Sequence, residues 1–375
     1  MIEGIGIALL VCLIFAWISK KAKFPPIPAY MFAGLLLGAG GLGIVEESTV
    51  SDFLAEAGLL FLLFTMGLEL RPDEIYGQGR SFILSGTVDL VINIIIGYAV
   101  AILVGFPVAE AVVIACAFYI SSSAMAVASL IENRKLAAPE SDTILWIMVF
   151  EDIMLLLIIV MLSSGGKSPA TTILTALILI AAFFALCYLL RSGISGIIER
   201  YEDIGLIFTF TVVIAAGGIA VVLDIPSTLV AIALGSAMSI TRPEILEKHA
   251  KPFRDVFLVI FFVFFGISVD LSSGFPVVEV ILLSLAAVAS KLVSSLAIGK
   301  AMHNNYLSGI EIWSETTARG EFSLAIAATF GSPLVSGTVA VMVLVTSALG
   351  GMMGKYSGKI KKFLIKKRSR IGLLG

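Results

Sequence analysis

Ionisable residues inside long apolar stretches are the parts of this chain best suited to do chemistry. Glu151 and Asp152 are adjacent in the segment LWIMVFEDIMLLLIIVML, and Lys291 lies in the segment VILLSLAAVASKLVSSLAIG. An ionisable side chain at the middle of a membrane costs about 2.5 to 3.5 kcal/mol even on the lenient insertion scale, so it needs a partner or a water-filled cavity. We therefore expect these three side chains to belong to a polar site at membrane depth.

The adjacent carboxyl groups suit the binding of a cation. Carboxylate oxygens are ligands for hard cations such as Na⁺ or K⁺. Burial favours the protonated form of a carboxyl group and a facing ammonium favours its ionised form, so one site can hold either a cation or protons. Neighbouring side chains point about 100° apart around a helix, so one carboxylate binds the ion while the other supports it. The alternative is a buried salt bridge that only joins two helices.

Four further ionisable residues fall within apolar segments. Glu315 and Glu321 flank Arg319 and are candidates for its charge partners. Asp89 is followed four residues later by Asn93. This pair either supports the ion site or hydrogen-bonds between helices.

Two apolar segments carry a polar interruption. The first contains Ser121, Ser122 and Ser123, and the second contains Glu315, Thr316, Arg319 and Glu321. Unwound backbone at membrane depth is tolerated where it lines a cavity, and paired interruptions in two halves of a chain mark the binding site of a transporter. The alternative for the serine run is close helix packing by small residues. The pattern predicts two broken helices.

The elements that position these residues are membrane-spanning helices. The chain is 59 % hydrophobic and 14 % charged, whereas soluble domains carry about a quarter charged residues. A spanning helix needs about 20 apolar residues. Apolar runs of that size predict an all-α polytopic membrane protein of about thirteen spans, with approximate limits 2–19, 27–44, 53–69, 81–104, 109–131, 142–163, 171–191, 203–223, 226–241, 253–270, 276–299, 308–330 and 333–354.

The order of these spans predicts an inverted repeat. The fourth to sixth spans and the eleventh to thirteenth are seven apart, and an odd offset means opposite orientation in the membrane. The two broken helices then cross near the midplane. We predict an exchanger-like transmembrane domain over residues 1–354, with core spans at 81–163 and 276–354, and a basic cytoplasmic tail over 355–375.

Basic residues predict the orientation of the chain. They accumulate in short cytoplasmic loops, and here they follow the odd-numbered spans. The connectors after even-numbered spans carry only Lys167. The sequence therefore predicts an outside N-terminus and an inside C-terminus. The basic residues of the odd connectors are Lys20, Lys21, Lys23, Arg71, Arg80, Arg134, Lys135, Arg191, Arg200, Arg242, Lys248, Lys251, Arg254 and Lys300.

Several classes of function are not expected. Cys12, Cys116 and Cys187 lie in separate spans without metal-ligand spacing, which argues against a disulfide framework or a zinc site. The sequence shows no nucleophile with its base and no phosphate-binding loop, so we expect neither an enzyme nor a cofactor. We expect no nucleic-acid partner.

The motifs together resemble the cation:proton antiporter superfamily, in the branch that includes the bacterial glutathione-gated potassium efflux antiporters and related Na⁺/H⁺ exchangers. Each motif is weak alone, but their order and spacing are specific. The resemblance covers nearly the whole chain and is carried by Ala33–Gly38 with Gly41 and Leu42, Ala55–Gly58 leading to Phe64–Leu70, Ser121–Ala124, Phe150–Ile153, Lys251–Phe253 leading to Phe265–Asp270, Lys291 and Gly320–Phe322.

The resemblance implies a homodimer of thirteen-helix protomers, each with a scaffold and a mobile core. Asp152 matches the essential ion-binding aspartate of the family, and Lys291 matches its lysine. Glu151 departs from the family pattern, in which that position is usually Asp, Asn or Gln. Many relatives carry a cytoplasmic nucleotide-binding domain; because this chain stops after its basic tail, such gating is expected only from a separate regulatory subunit.

These observations predict a Na⁺ or K⁺/proton antiporter that works by alternating access in the cell (inner) membrane and serves pH homeostasis. Asp152 would bind cation and protons in competition, Glu151 would assist it as a second metal ligand, and Lys291 would be their charge partner. The alternatives are a cation-coupled symporter of an organic anion, a channel-like K⁺ efflux pathway and a sensor subunit that transports nothing.

Overall fold

The structure is a computed structural model that describes residues 2–22, 26–38, 41–45, 48–69, 79–163, 169–222, 227–268 and 277–370. These residues form helices, turns and irregular connections, as predicted for an all-α protein. The helices are α1 (Ile2–Ala22), α2 (Pro26–Leu37), α3 (Thr49–Glu69), α4 (Gly79–Leu103), α5 (Val108–Tyr119), α6 (Ser123–Glu132), α7 (Pro139–Leu162), α8 (Pro169–Arg200), α9 (Glu202–Val222), α10 (Ser227–Met238), α11 (Pro243–Ser268), α12 (Val277–His303), α13 (Tyr306–Thr316), α14 (Glu321–Phe330) and α15 (Pro333–Arg370).

Among the described residues, eight helices contain a stretch long and apolar enough to cross a membrane: α1, α3, α4, α7, α8, α9, α12 and α15. Shorter apolar helices include α2, α5, α10 and α14. A spanning helix must satisfy every backbone polar group internally, so this composition requires a multi-pass membrane protein.

The two predicted helix breaks are present. The first broken helix consists of α5 and α6, which are separated at residues 120–122. The second consists of α13 and α14, which are separated at residues 317–320. At both breaks, polar and small residues replace the continuous apolar sequence that favours an unbroken helix in lipid.

The chain divides into two compact units. Unit 1 comprises Met1–Ile14, Tyr30–Gly77 and Asp152–Ser268, and unit 2 comprises Phe15–Ala29, Gln78–Glu151 and Val269–Gly375. In unit 1, α10 and α11 pack against α3. In unit 2, α12 packs against α4, α13 and α15, and α5 packs against α4 and α14. Both broken helices therefore belong to unit 2.

Two helix limits differ from the sequence prediction by ten residues or more. The helix predicted to end at residue 354 continues as α15 to Arg370, so the described part of the basic tail is helical. The helix α11 begins at Pro243, ten residues before the predicted span, because its first half is a charged amphipathic segment that a search for apolar runs does not detect. Some residues named in the sequence analysis lie outside the described residues: the basic residues Lys23, Arg71 and Lys167, the motif residues Leu70, Val269 and Asp270, and tail residues 371–375.

Candidate functional site

Lys291 lies at the centre of a buried charge cluster in unit 2. Its Nζ atom is 2.5 Å from Oδ2 of Asp89 and 2.7 Å from Oε1 of Glu151. The three side chains come from α12, α4 and α7, and each residue is at most 1 % exposed. A buried ion pair of this kind persists only where further hydrogen bonds satisfy the remaining polar atoms.

Those hydrogen bonds come from α4 and α12. Asp89 Oδ1 accepts from Ser294 Oγ at 2.8 Å and from Asn93 Nδ2 at 2.9 Å. The Asn93 carbonyl oxygen in turn accepts from Ser290 Oγ at 2.7 Å. Asp89 therefore pairs with Lys291 and also takes part in hydrogen bonding between α4 and α12, whereas its support of an ion site stays a prediction. The serines at positions 290 and 294 flank Lys291 on one face of α12, a helical spacing that could have identified them.

Glu151 connects the cluster to the first broken helix. Its Oε2 atom accepts from the backbone N–H of Ser121 at 2.5 Å, and its Oε1 atom lies 2.9 Å from Ser121 Oγ. The same hydroxyl lies 3.0 Å from the carbonyl oxygen of Thr316, so its single proton is shared between two acceptors. Glu151 thus joins the charge of Lys291 to the break between α5 and α6.

The two breaks bond directly to each other. The Ser122 N–H donates to the carbonyl oxygen of Ala318 at 2.8 Å, and Ser323 Oγ donates to the carbonyl oxygen of Ile120 at 3.1 Å. A Cβ atom on Gly320 would lie 2.6 Å from the Ser122 side chain, so this close approach requires glycine. These bonds satisfy backbone groups that neither half-helix can satisfy alone.

Arg319 is fully buried at this crossing, where its guanidinium donates hydrogen bonds to the C-terminal ends of two half-helices. Its guanidinium donates to the carbonyl oxygens of Phe118 at 2.7 Å, Thr316 at 3.2 Å, Thr317 at 3.1 Å and Ala287 at 3.4 Å. Phe118 lies in the last turn of α5, and Thr316 ends α13. Helix C-termini carry partial negative charge, so the cation of Arg319 stabilises both ends at membrane depth.

The sequence prediction for the partner of Arg319 is wrong for Glu315. Glu315 Oε1 accepts from Lys135 Nζ at 2.5 Å, because the side chain leaves α13 toward the connector between α6 and α7. Glu321 begins α14, and its Oε2 atom lies 3.5 Å from Ser122 Oγ. Ser123 begins α6, directly after Ser122 caps that helix through the Met125 N–H.

Asp152 follows Glu151 in α7 and is partly exposed. The boundary between the two units falls between these residues, so Asp152 belongs to unit 1. Its assignment as the ion-binding carboxylate, with Glu151 as a second ligand, stays a prediction. The buried cluster itself pairs two carboxylates with Lys291, and Arg319 interacts electrostatically with both acids.

Comparison with known proteins gives a consistent family. The model of the family "Sodium/hydrogen exchanger, transmembrane" matches residues 7–356. The K⁺/H⁺ antiporter subunit KhtU of Bacillus subtilis is 30 % identical over 98 % of this chain and 96 % of its own length. The ammonium/H⁺ antiporter subunit AmhT of Alkalihalophilus pseudofirmus is 24 % identical over 96 % of each chain.

A solved structure has the same fold. The sodium proton antiporter MjNhaP1 from Methanocaldococcus jannaschii aligns with a TM-score of 0.70 and 17 % identity, covering 96 % of this chain and 97 % of its own. The resemblance seen in the sequence motifs is therefore confirmed, as is the expectation of a transporter rather than an enzyme. The chain belongs to the sodium/hydrogen exchanger family of membrane transport proteins.

Proposed function

We propose that this protein exchanges a monovalent cation for protons across a membrane, with Asp152 as the carboxylate that binds the two in competition. The observation that carries the proposal is the buried Asp89–Lys291–Glu151 cluster, which is bonded through Ser121 to the crossing of two broken helices. Half-helix ends and buried charges at membrane depth are the construction that transporters use to hold an ion.

The charges of the buried cluster favour different roles for Glu151 and Asp152. Glu151 and Asp89 are matched by Lys291 and Arg319, so these four charges together carry no net charge. Both oxygens of Glu151 accept hydrogen bonds from protein groups. Asp152 is an additional carboxylate on the same helix and is more exposed than Glu151. We infer that Glu151 holds the crossing in place while Asp152 exchanges its cation for a proton.

Competition at one carboxylate, combined with alternating access, gives coupled exchange. Asp152 binds a cation on one side of the membrane and releases it when protons bind on the other. Binding in competition couples the two fluxes because the group cannot carry both ligands together. The curated relatives are named for K⁺, ammonium and Na⁺ exchange, and we propose K⁺ or Na⁺ as the first ions to test.

The location and assembly are also proposals. The family and the apolar helices support a multi-pass protein of the cell membrane, with the C-terminal end of α15 on the cytoplasmic side because that segment is rich in lysine. We propose a homodimer, as the resemblance implies. A separate regulatory subunit is a further proposal, and the word "subunit" in the names of two relatives supports it.

The experiment is a dye-dequenching assay of the pH gradient in proteoliposomes, with K⁺, Na⁺, NH₄⁺, Li⁺ and Rb⁺ added in turn. We expect wild-type protein to dissipate the gradient for at least one cation and Asp152→Asn to lose this flux. Glu202→Gln is the matched control, because it removes a carboxylate whose ion pair is 69 % exposed on both sides. Unimpaired cation-driven proton flux in Asp152→Asn overturns the assignment.

A further inference from the structure

A second charged cluster in unit 2 surrounds Lys135, in the connector between α6 and α7. Its Nζ atom lies 2.5 Å from Glu315 Oε1, 2.7 Å from Glu311 Oε1, 2.7 Å from the carbonyl oxygen of Gly354 and 2.6 Å from Ser357 Oγ. We call these four oxygens and their residues the Lys135 cage. They come from α13 and α15.

The cage has more acceptors than an ammonium group can serve. A lysine ammonium has three N–H donors, whereas four oxygens lie within 2.7 Å of Nζ. A spherical cation has no such limit, since it attracts every oxygen around it. Carboxylate, carbonyl and hydroxyl oxygens converging on one point are the ligands that hard cations prefer.

The carboxylates around the cage outnumber its ammonium groups. Lys361 Nζ lies 3.0 Å from Glu140 Oε1 and 3.1 Å from Glu311 Oε2. Burial opposes the charged form of Lys361, but hydrogen bonds to these two carboxylates outweigh it and raise the pKa of Lys361 above its ordinary value. Three carboxylates thus face two ammonium groups, which gives a net charge of minus one.

One carboxylate oxygen beside the cage has no hydrogen-bond partner. Glu315 is 3 % exposed, and its Oε2 atom is buried without a hydrogen-bond partner. A Cβ atom on Gly354 would lie 3.2 Å from this oxygen, which places Oε2 beside the cage residue Gly354. Leaving a buried acceptor unsatisfied costs about 1 to 3 kcal/mol and more for a charged group, so such an oxygen calls for a ligand.

We propose that the Lys135 cage is a second monovalent-cation site, which Lys135 occupies as a tethered cation and which K⁺ or NH₄⁺ occupies when Lys135 leaves. The Lys135 side chain is 17 % exposed and stands on a short connector, so it has a route out. Two carboxylates with two neutral oxygens suit a single positive charge. Among the described residues, no group of three or more His, Cys, Asp or Glu is arranged to hold a metal ion. This site is distinct from Asp152 and does not depend on the exchange proposed above.

The position of the cage links its occupant to the helix crossing. Glu315 immediately precedes Thr316, whose carbonyl oxygen accepts from Arg319 and faces Ser121. The residues Gly354 and Ser357 lie on α15. With Lys135 in the cage, the connector between α6 and α7 is bonded to both α13 and α15. With a free cation in its place, only α13 and α15 are joined through the cage. Binding of a cytoplasmic cation to the Lys135 cage would therefore change the contacts next to the helix crossing.

Thermal unfolding of purified protein tests the site. Asp152→Asn serves as the background, so that cation binding at the exchange carboxylate does not contribute. A ligand that binds the folded state raises the unfolding midpoint with its concentration. We expect KCl, exchanged for choline chloride at constant ionic strength, to raise the midpoint more steeply in Lys135→Ala than in the background. Adding Glu315→Gln should abolish the gain, and Lys248→Ala, which removes an exposed paired lysine, should not produce it.

A second measurement uses the wild-type chain and does not depend on the folding of any variant. Lysine acylation followed by mass spectrometry reports how readily each amine reacts. We expect the labelling rate of Lys135 to rise with KCl or NH₄Cl but not with choline chloride, while that of Lys248 stays constant. Lys135 labelling that does not change with KCl or NH₄Cl overturns the proposal, as does an equal midpoint gain in Lys135→Ala with and without Glu315→Gln. Neither readout measures transport, so the result is separate from that of the exchange assay.

Discussion

The two units of this protein bury different kinds of side chain. Unit 2 buries Lys291 and Arg319 together with their carboxylate and carbonyl partners. Unit 1 is held by close backbone contacts and aromatic rings. A Cβ atom on Gly266 would lie 3.1 Å from the Cα atom of Gly34, and the Phe61 ring lies 5.5 Å from that of Phe253.

This difference predicts different responses to solution conditions. Packing of small residues and rings depends on shape and dispersion, which pH and ions hardly change. Ion pairs and charged hydrogen bonds change whenever a proton or cation binds. We therefore expect pH and cations to alter the stability of unit 2 far more than that of unit 1, and the following variants test this contrast.

Lys291→Ala should have the largest effect. It leaves Asp89 and Glu151 as two buried carboxylates without their cation, and breaking a buried pair costs about 3 to 5 kcal/mol. The free energy of unfolding in detergent, measured by denaturant titration, checks this value. Lys300→Ala is the control on the same helix, since Lys300 is exposed and interacts with the nearby residues Asn304 and Tyr306. Because protonation removes the charge of the two buried carboxylates that lack a cation in this variant, the deficit of Lys291→Ala should shrink at low pH, and a deficit independent of pH would contradict an electrostatic role.

Arg319→Lys should have the next largest effect although it keeps the charge. A planar guanidinium reaches carbonyl groups in α5, α12 and α13, whereas an ammonium is a compact donor and cannot reach all of them. Hydrogen bonds of charged groups contribute about 1.5 to 3 kcal/mol, so we expect a loss of that size in stability. Proteoliposome flux should fall with it, because the half-helix ends lose their counter-charge. A variant as stable as wild type would show that charge alone suffices at the crossing.

Gly266→Ala tests unit 1. Its Cβ atom would meet Met31 and Gly34 backbone across the contact with α2, so the helices must separate, which costs about 1 to 3 kcal/mol. Gly218→Ala is the matched control because a Cβ atom there meets open space, and alanine favours a helix over glycine. The loss in Gly266→Ala should be the same at every pH and KCl concentration. A stability loss that varies with pH or with KCl concentration would contradict the expectation that unit 1 is less sensitive to both than unit 2.

Local sequence patterns predicted the helix breaks because they depend on local composition. The runs Ser121–Ser123 and Thr316–Gly320 place polar or small residues where an apolar helix would continue, and the backbone responds at those positions. The extension of α15 to Arg370 was not predicted. Apolar length ends near residue 354, but lysine-rich sequence is also helix-forming once a helix has begun.

Long-range charge pairing could not be predicted from sequence in the same way. Arg319 has Glu315 and Glu321 close in sequence, yet Glu315 pairs with Lys135, 180 positions away. Lys291, which we expected to face Glu151 and Asp152, pairs with Glu151 at a separation of 140 positions and with Asp89 at a separation of 202. For each buried base, the sequence offers several acids as partners. Which acid forms the ion pair depends on how α4, α7, α12 and α13 pack.

His249 provides the smallest test and concerns the one histidine of unit 1. It lies in the charged first half of α11, before the apolar stretch, and its Nδ1 atom is buried without a hydrogen-bond partner. Burial, reinforced by Lys248, lowers the pKa of His249 below its ordinary value of 6.5, although Glu202 opposes the shift.

The sign of the resulting pH dependence follows from linkage. In the unfolded chain His249 takes up a proton as the pH falls through 6.5, whereas the folded protein does so only at lower pH. The unfolded state therefore binds more protons within this window, and stability falls as the pH drops through it. Thermal unfolding between about pH 8 and 5 should show this loss in wild type and a smaller one in His249→Asn. His303→Asn, which changes the other histidine of the chain, should keep the full loss. If both variants lose stability like wild type, His249 is not the cause of the acid sensitivity.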